Sequence, residues 1–273
     1  MKKVLCLLAA AVLGCYSILA QTEQQPTPSA TMLEQVARLK AKGIPLTDYH
    51  IHIRGGMTPD KAYDWMKLSG IRSGVLENAG REWPLSDDDK IKEFIEDARR
   101  FPELLIGLQV NDRDWFKMID PKVVAMLDFT LADAMILDGQ RLWLENEYTI
   151  DDENVWLDRI FKNSMAIVNE PITIFANPTY LPNRLVHRYD EFWTKDRILQ
   201  FIDAAVKNNV ALEIQAGTNF PTKEFIILAI EKGAKITIGR NNNNDRINEL
   251  KRSLDWLEEL DIKPEHMLDL KKK

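Results

Sequence analysis

After residue 20 the chain contains no cysteine: Cys6 and Cys15 are its only two, and both lie in the first apolar segment. Without them no disulfide can form even in an oxidising compartment, and no thiolate is available as nucleophile or metal ligand. Stability must therefore come from a hydrophobic core, which a chain of 273 residues can bury without covalent staples. Clustered basic residues are also missing. Lys and Arg number 36 against 42 Asp and Glu, a net charge of -6, and no basic stripe tracks a polyanion, so nucleic acid is not an expected partner. Histidine is scarce, with four in the chain.

The composition, 45% apolar and 29% charged, is that of a globular protein rather than a disordered or membrane-spanning one. The first twenty residues differ from the rest. Lys2 and Lys3 precede an apolar run from Val4 to Leu13 and a mostly apolar stretch to Ala20, which reads as a secretory signal cleaved before Gln21. An alternative reading takes Val12-Leu13-Gly14-Cys15 as a lipoprotein signal, with Cys15 acylated and the chain held at a membrane. The expected organisation is a signal over 1–20, a tail and short helix over 21–44, and one domain over 45–273, in a periplasmic or secreted protein.

From Pro45 onward short apolar runs alternate with amphipathic segments, as parallel strands joined by helices do. Seven strands are predicted: Leu46–Ile53, Arg72–Leu76, Leu104–Val110, Asp128–Ile136, Ile172–Ala176, Ala211–Gln215 and Lys235–Ile238. Thr58-Pro59-Asp60 and Ser86-Asp87-Asp88-Asp89 carry helix-start chemistry, and Gly70 and Gly233 sit where helices should stop. The spacing of Ile198, Phe201, Ile202, Ala205 and Val206 predicts an amphipathic helix over 194–209. Trp143 and Trp156, in the long crossover from Asp138 to Glu170, read as packing residues. The fold class is α/β, a single (β/α)7 barrel, and such barrels build their sites at the C-terminal ends of the strands.

Two of the four histidines form His50-Ile51-His52 on the first predicted strand, where alternation points both rings to one face, with Asp48 on that face as well. Facing a barrel interior, the pair could bind one metal or one anion. The other strand ends offer Glu77 and Asn78, Gln109 with Asn111, Asp133, Asn177, Glu213 with Gln215, and Arg240 with Asn241. Arg113, with Asp114 and Trp115 just beyond the third strand, reads either as a clamp for a ligand oxygen or as part of an ion pair beside a packed Trp.

With Asp48, His50 and His52 as its Asp-x-His-x-His opening and seven strand and helix units, the chain resembles the polymerase and histidinol phosphatase (PHP) family over about Leu46 to Leu260. The resemblance implies a distorted seven-unit barrel, a metal site and phosphate-ester hydrolysis. Amidohydrolases also open with His-x-His, but their later Lys and Asp have no counterpart here. The later PHP motifs are altered to Leu76-Glu77-Asn78, Gly107-Leu108-Gln109, Asp133-Ala134-Met135, Ala176-Asn177-Pro178 and Gly239-Arg240-Asn241-Asn242-Asn243. The sequence is also similar to an exported PHP-like subgroup with Asn-Pro-Thr-(Tyr/Phe)-Leu-Pro after the fifth strand, here Asn177 to Pro182. As a bare pattern that segment also reads as a rigid turn.

Neutral amides coordinate zinc, manganese or iron poorly, so the multi-ion PHP site is not expected. What remains is one divalent ion on His50 and His52 with Glu77 or Glu213 as carboxylate, these four also serving as the catalytic groups. Asn78, Gln109, Arg113, Asn177, Arg240 and Asn241 are the expected substrate-binding residues. The substrate would be a phosphate ester or another small polar, sugar-derived molecule. Two further readings are metal-free catalysis by a histidine with Arg240 or the amides at an oxyanion, and binding of a polar or carbohydrate ligand without metal.

Overall fold

The computed structural model describes residues 27–242 and 250–272, so the signal segment, Cys15, Asn243 and Asn244 lie outside the described residues. The first element is helix α1, Ala30–Ala41. Ser29 caps it by accepting from the Met32 N–H, and Met32, Val36 and Leu39 form its buried stripe.

Seven parallel strands follow and close into a barrel: β1 Thr47–His52, β2 Arg72–Ala79, β3 Leu105–Val110, β4 Phe129–Ala132, β5 Ile174–Phe175, β6 Ala211–Gln215 and β7 Ile236–Gly239. They are hydrogen-bonded in chain order, and β7 returns to pair with β1. The main crossover helices are α2 Pro59–Ser69, α3 Asp88–Arg99, α4 Glu153–Val168, α5 Lys195–Lys207 and α6 Lys223–Glu231, with α7 Lys251–Glu259 after the last strand. The arrangement is the TIM-like (β/α)7 barrel that the sequence predicts. No helix among the described residues is long and apolar enough to cross a membrane.

Local chemistry accounts for most boundaries. Pro59 stands at the first turn of α2, and Gly70 ends that helix in the left-handed conformation with φ 72. The Asp87 carboxylate caps α3 by accepting from the Lys90 N–H at 3.0 Å, and α5 buries Ile198, Phe201, Ile202 and Ala205.

The fourth predicted strand, Asp128–Ile136, is cut short. Asp133 folds back to accept the N–H of Met135 at 3.0 Å, which ends β4. A separate hairpin then pairs Ile136–Leu137 with Gln140–Arg141 through Asp138 and Gly139, both with positive φ as a tight two-residue turn requires. Strand β2 runs longer than predicted because Asn78 and Ala79 keep pairing with Gln109 and Val110. Of the two crossover tryptophans, Trp156 is buried and stacks on Tyr148, with ring centroids 5.0 Å apart, whereas Trp143 is 43% exposed and is not a packing residue.

Alternation divides the barrel interior into layers. Leu105, Phe129, Leu131, Ile174 and Ala211, together with Tyr49 and Leu76, form the lower apolar cluster. Further along the same alternation come Asn78, Gln109, Asp133 and Glu213, all buried. Gly107 is required by a close approach, since a Cβ there would lie 2.5 Å from the Phe129 ring.

Candidate functional site

Strand β1 does not alternate regularly. Its pairing with β2 shifts register between Asp48 and Ile51, as at a bulge, and this changes which side chains share a face. Tyr49 joins the interior apolar cluster below, while His50 and His52 lie side by side above it with ring centroids 5.2 Å apart. Asp48 turns toward α2. Its carboxylate accepts the backbone N–H groups of His50 (3.1 Å) and Arg240 (3.2 Å) and pairs with the Arg240 guanidinium, which lies 4.8 Å from the Trp65 ring on α2. The expectation that Asp48 shares the face of the two imidazoles is therefore corrected: it holds backbone and an arginine instead.

His50 is fully buried, and both ring nitrogens are engaged. Nδ1 meets Glu213 Oε1 at 2.8 Å and Nε2 meets Gln109 Oε1 at 3.3 Å. Burial by itself would depress the His50 pKa. Glu213, aided by Asp133 and Asp48, outweighs burial and pushes it up, and the His50–Glu213 pair sits buried at the centre of the barrel end. His52 goes the other way. Burial, the neighbouring His50 and Arg54 hold it well below the ordinary histidine range, so it is the neutral partner.

Amides connect these groups. Gln109 Nε2 donates to Asp133 Oδ2 at 3.1 Å, and Asn177 Nδ2 donates to the same oxygen at 3.3 Å. The Asn177 N–H donates to Glu213 Oε2 at 3.1 Å. Burial pushes the Asp133 carboxyl up, against the Met135 N–H and His50. On the other flank, Asn78 Nδ2 donates to Asn111 Oδ1 at 2.9 Å, and Asn241 is hydrogen-bonded to the His52 side chain.

Asn177 and Asn241, each just past a strand end, have φ of 48 and 50, a conformation that asparagine tolerates better than most residues. Thr179, in the Asn177 to Pro182 segment, has φ 62, which is strained for a β-branched residue. It is held there by the Tyr189 hydroxyl, which donates to Thr179 Oγ1 at 2.8 Å. The segment is thus a constrained turn that also delivers Asn177 to the site.

His50, His52, Glu77, Asn78, Gln109, Asn177, Glu213 and Asn241 are brought to one end of the barrel. Arg240 is not presented to a ligand. It is 3% exposed and committed to Asp48 and Trp65, because it follows β7 on the face toward α2. Arg113 stands to one side, 3.4 Å from Glu170 Oε1, while Asp114 pairs with Arg81 at 3.0 Å and Trp115 is buried.

Two residues matter more than the sequence suggests. Asp133 was legible only as a strand-end polar group. Arg54 belongs to no motif, although its spacing of two from His52 continues the alternation just past the strand end. Its Nη2 donates to His52 Nδ1 and to Asn78 Oδ1 and lies 3.3 Å from Glu77 Oε1. Burial pushes the Glu77 carboxyl up, opposed by the Asn78 N–H and Arg54.

The donor set does not fit the expected single ion. Two of the four expected ligands, His50 and Glu213, are hydrogen-bonded to each other. The other two, His52 and Glu77, already share a cation in Arg54 and stand 3.8 Å apart. Among the described residues, no three His, Cys, Asp or Glu side chains are grouped to hold a metal. No protein-family model matches the chain, and no curated protein matches it.

Proposed function

We propose that the C-terminal end of this barrel binds a small polar, carbohydrate-like ligand without a metal, on a PHP-type scaffold whose ion-binding positions are taken by amides and an arginine. The observation that carries the reading is the engagement of both histidines by protein groups, with Arg54 where an ion between His52 and Glu77 would have to sit. A cation bound there would have to displace a like charge. General-base chemistry is poorly served as well: both His50 ring nitrogens are engaged, by Glu213 and Gln109, and His52 Nδ1 is covered by Arg54.

The amides suit a ligand rich in hydroxyl groups, since each supplies both donors and an acceptor without charge. Asn177 Oδ1 is buried and has no hydrogen-bond partner among the described residues, which marks an acceptor available to such a ligand. Export of the mature chain from near Gln21 belongs to the same proposal and would give it environmental saccharides to meet.

The test is metal analysis of protein purified without a histidine tag, together with thermal unfolding in chelator and after adding zinc, manganese or iron. The expected result is substoichiometric metal and a melting temperature unmoved by chelator or ions. A stoichiometric ion whose removal lowers the melting temperature would overturn this reading and restore a metal-dependent phosphoesterase.

A further inference from the structure

Beside the amide cluster, the loops after β2, β3 and β4 and helix α4 border an open cavity of about 350 Å³, within the size range of small-molecule sites. Arg81, Trp83, Asn111, Arg113, Arg141 and Asn163 are among its lining residues. Asn111 belongs to both places, because its Oδ1 accepts from Asn78 Nδ2 in the cluster while the residue also lines the cavity.

The charges around this cavity are unevenly satisfied. Asp112 is occupied by Arg81, accepting its backbone N–H at 2.8 Å and lying 3.6 Å from its guanidinium, and Asp114 takes the same guanidinium at 3.0 Å. Asp138 is held by Arg159 at 2.6 Å. Arg141 forms no ion pair among the described residues; its guanidinium lies 5.3 Å from the Trp83 ring.

Arg113 is only partly matched. Its Nη2 donates to the Asn111 carbonyl at 3.3 Å, and its buried Nη1 stands 3.4 Å from Glu170 Oε1 without making a hydrogen bond among the described residues. Its ion-pair partner Glu170 is pushed by burial to about 7, so near neutral pH that carboxyl carries a fraction of a charge. The acid left on the lining is Glu82, which is exposed.

We infer that this cavity receives the oxyanion of the ligand, a carboxylate or phosphate on a polyhydroxylated body, with Arg141 and Arg113 as its donors and Asn111 joining it to the amide cluster. The inference rests on the polar-ligand reading of the barrel end and narrows it to acidic saccharides. Arginine suits the role because its planar fork matches a carboxylate or phosphate bidentately.

The test is calorimetric titration of the full chain with glucose, glucuronate, glucose 6-phosphate and inorganic phosphate, repeated with Arg141→Gln, Arg113→Gln and Asn177→Ala. Arg141 is exposed, so its variant leaves the fold intact. An anionic sugar should bind at least about tenfold tighter than glucose, and Arg141→Gln or Arg113→Gln should each remove about tenfold of that preference, as loss of a charge-assisted hydrogen bond does. The neutral sugar should be unaffected by either arginine change. Preference between glucuronate and glucose 6-phosphate identifies the oxyanion.

Equal binding of neutral and anionic sugars, or anion binding unmoved by both arginine variants, would overturn the inference. So would no binding by any probe at about 10 mM, well above a millimolar Kd. Failure of the two readings is distinguishable. Weaker glucose binding in Asn177→Ala with no arginine effect leaves the amide cluster standing and removes the cavity. Arginine-dependent anion binding by a chain that holds a stoichiometric ion leaves the cavity and removes the metal-free reading.

Discussion

At the lower end of the barrel, Tyr49 and Phe129 meet edge to face with ring centroids 5.4 Å apart, and the chain from Leu268 to Leu270 crosses beneath them. At the upper end the inward positions carry His50, Gln109, Asp133 and Glu213. Both ends are buried, but they are held by different physics. Below, apolar area is removed from water and a single hydroxyl is satisfied by two backbone groups. Above, imidazole, carboxyl and amide groups are buried beside polar partners, and such partners are directional. The lesson is that a barrel interior can be uniformly inaccessible while one half is a core and the other a preorganised polar surface.

The sharpest way to break this contrast is Phe129→Ala. The ring fills the space left by Gly74 and Gly107, neither of which can supply replacement atoms. The expected loss is about 3–5 kcal/mol, from transfer and cavity together. Denaturant unfolding measures it, and a loss under about 1 kcal/mol would mean that the lower layer can collapse around the gap.

At the upper end, Glu213→Gln leaves a buried His50 facing a neutral amide. Breaking a buried pair from one side should cost about 3 kcal/mol at acid to neutral pH. The sign of its pH dependence follows from the raised His50 pKa. The pair's contribution is fully present below the unfolded histidine value of about 6.5 and is lost as pH rises through the higher folded value. The stability gap between wild type and variant should therefore narrow on the alkaline side. Denaturant midpoints across a pH series check this, and a constant gap would identify some other group as the one that titrates. Among the described residues the lower apolar cluster contains no histidine, so Phe129→Ala should show no matching narrowing.

The smallest effect is expected for Tyr49→Phe. The hydroxyl donates to the Leu268 carbonyl at 3.3 Å and accepts the Leu270 N–H at 3.2 Å, while the ring keeps its packing. Its removal should cost about 1 kcal/mol, the ordinary worth of a hydrogen bond, and hydrogen exchange at Leu270 should quicken. A loss as large as that of Glu213→Gln would show that polar bonding, not apolar burial, closes the lower end.

Much of this architecture is legible in the sequence. Short apolar strands between amphipathic helices predict the seven units, and Pro59, Gly70 and Asp87 mark boundaries that the structure keeps. Convergence of the strand-end residues also followed from sequence, because a closed parallel barrel has one end for all its strand C-termini. Asn177 and Glu213 lie 36 residues apart and still meet at 3.1 Å.

The partners within that end were not legible. Alternation alone puts Asp48 beside the imidazoles, but the register shift in β1 turns it to Arg240 and takes that arginine out of the site. Arg54 belongs to no motif, and only the neighbouring strand places Glu77 and Asn78 around its guanidinium. Residue type and spacing along the chain thus determine which polar groups arrive at the barrel end and that a core must lie below them. Which group each one faces, and whether two histidines meet an ion or an arginine and a glutamate, depends on register and packing between strands. Those contacts are set by long-range geometry to within a few tenths of an ångström, a precision that local sequence preferences do not carry.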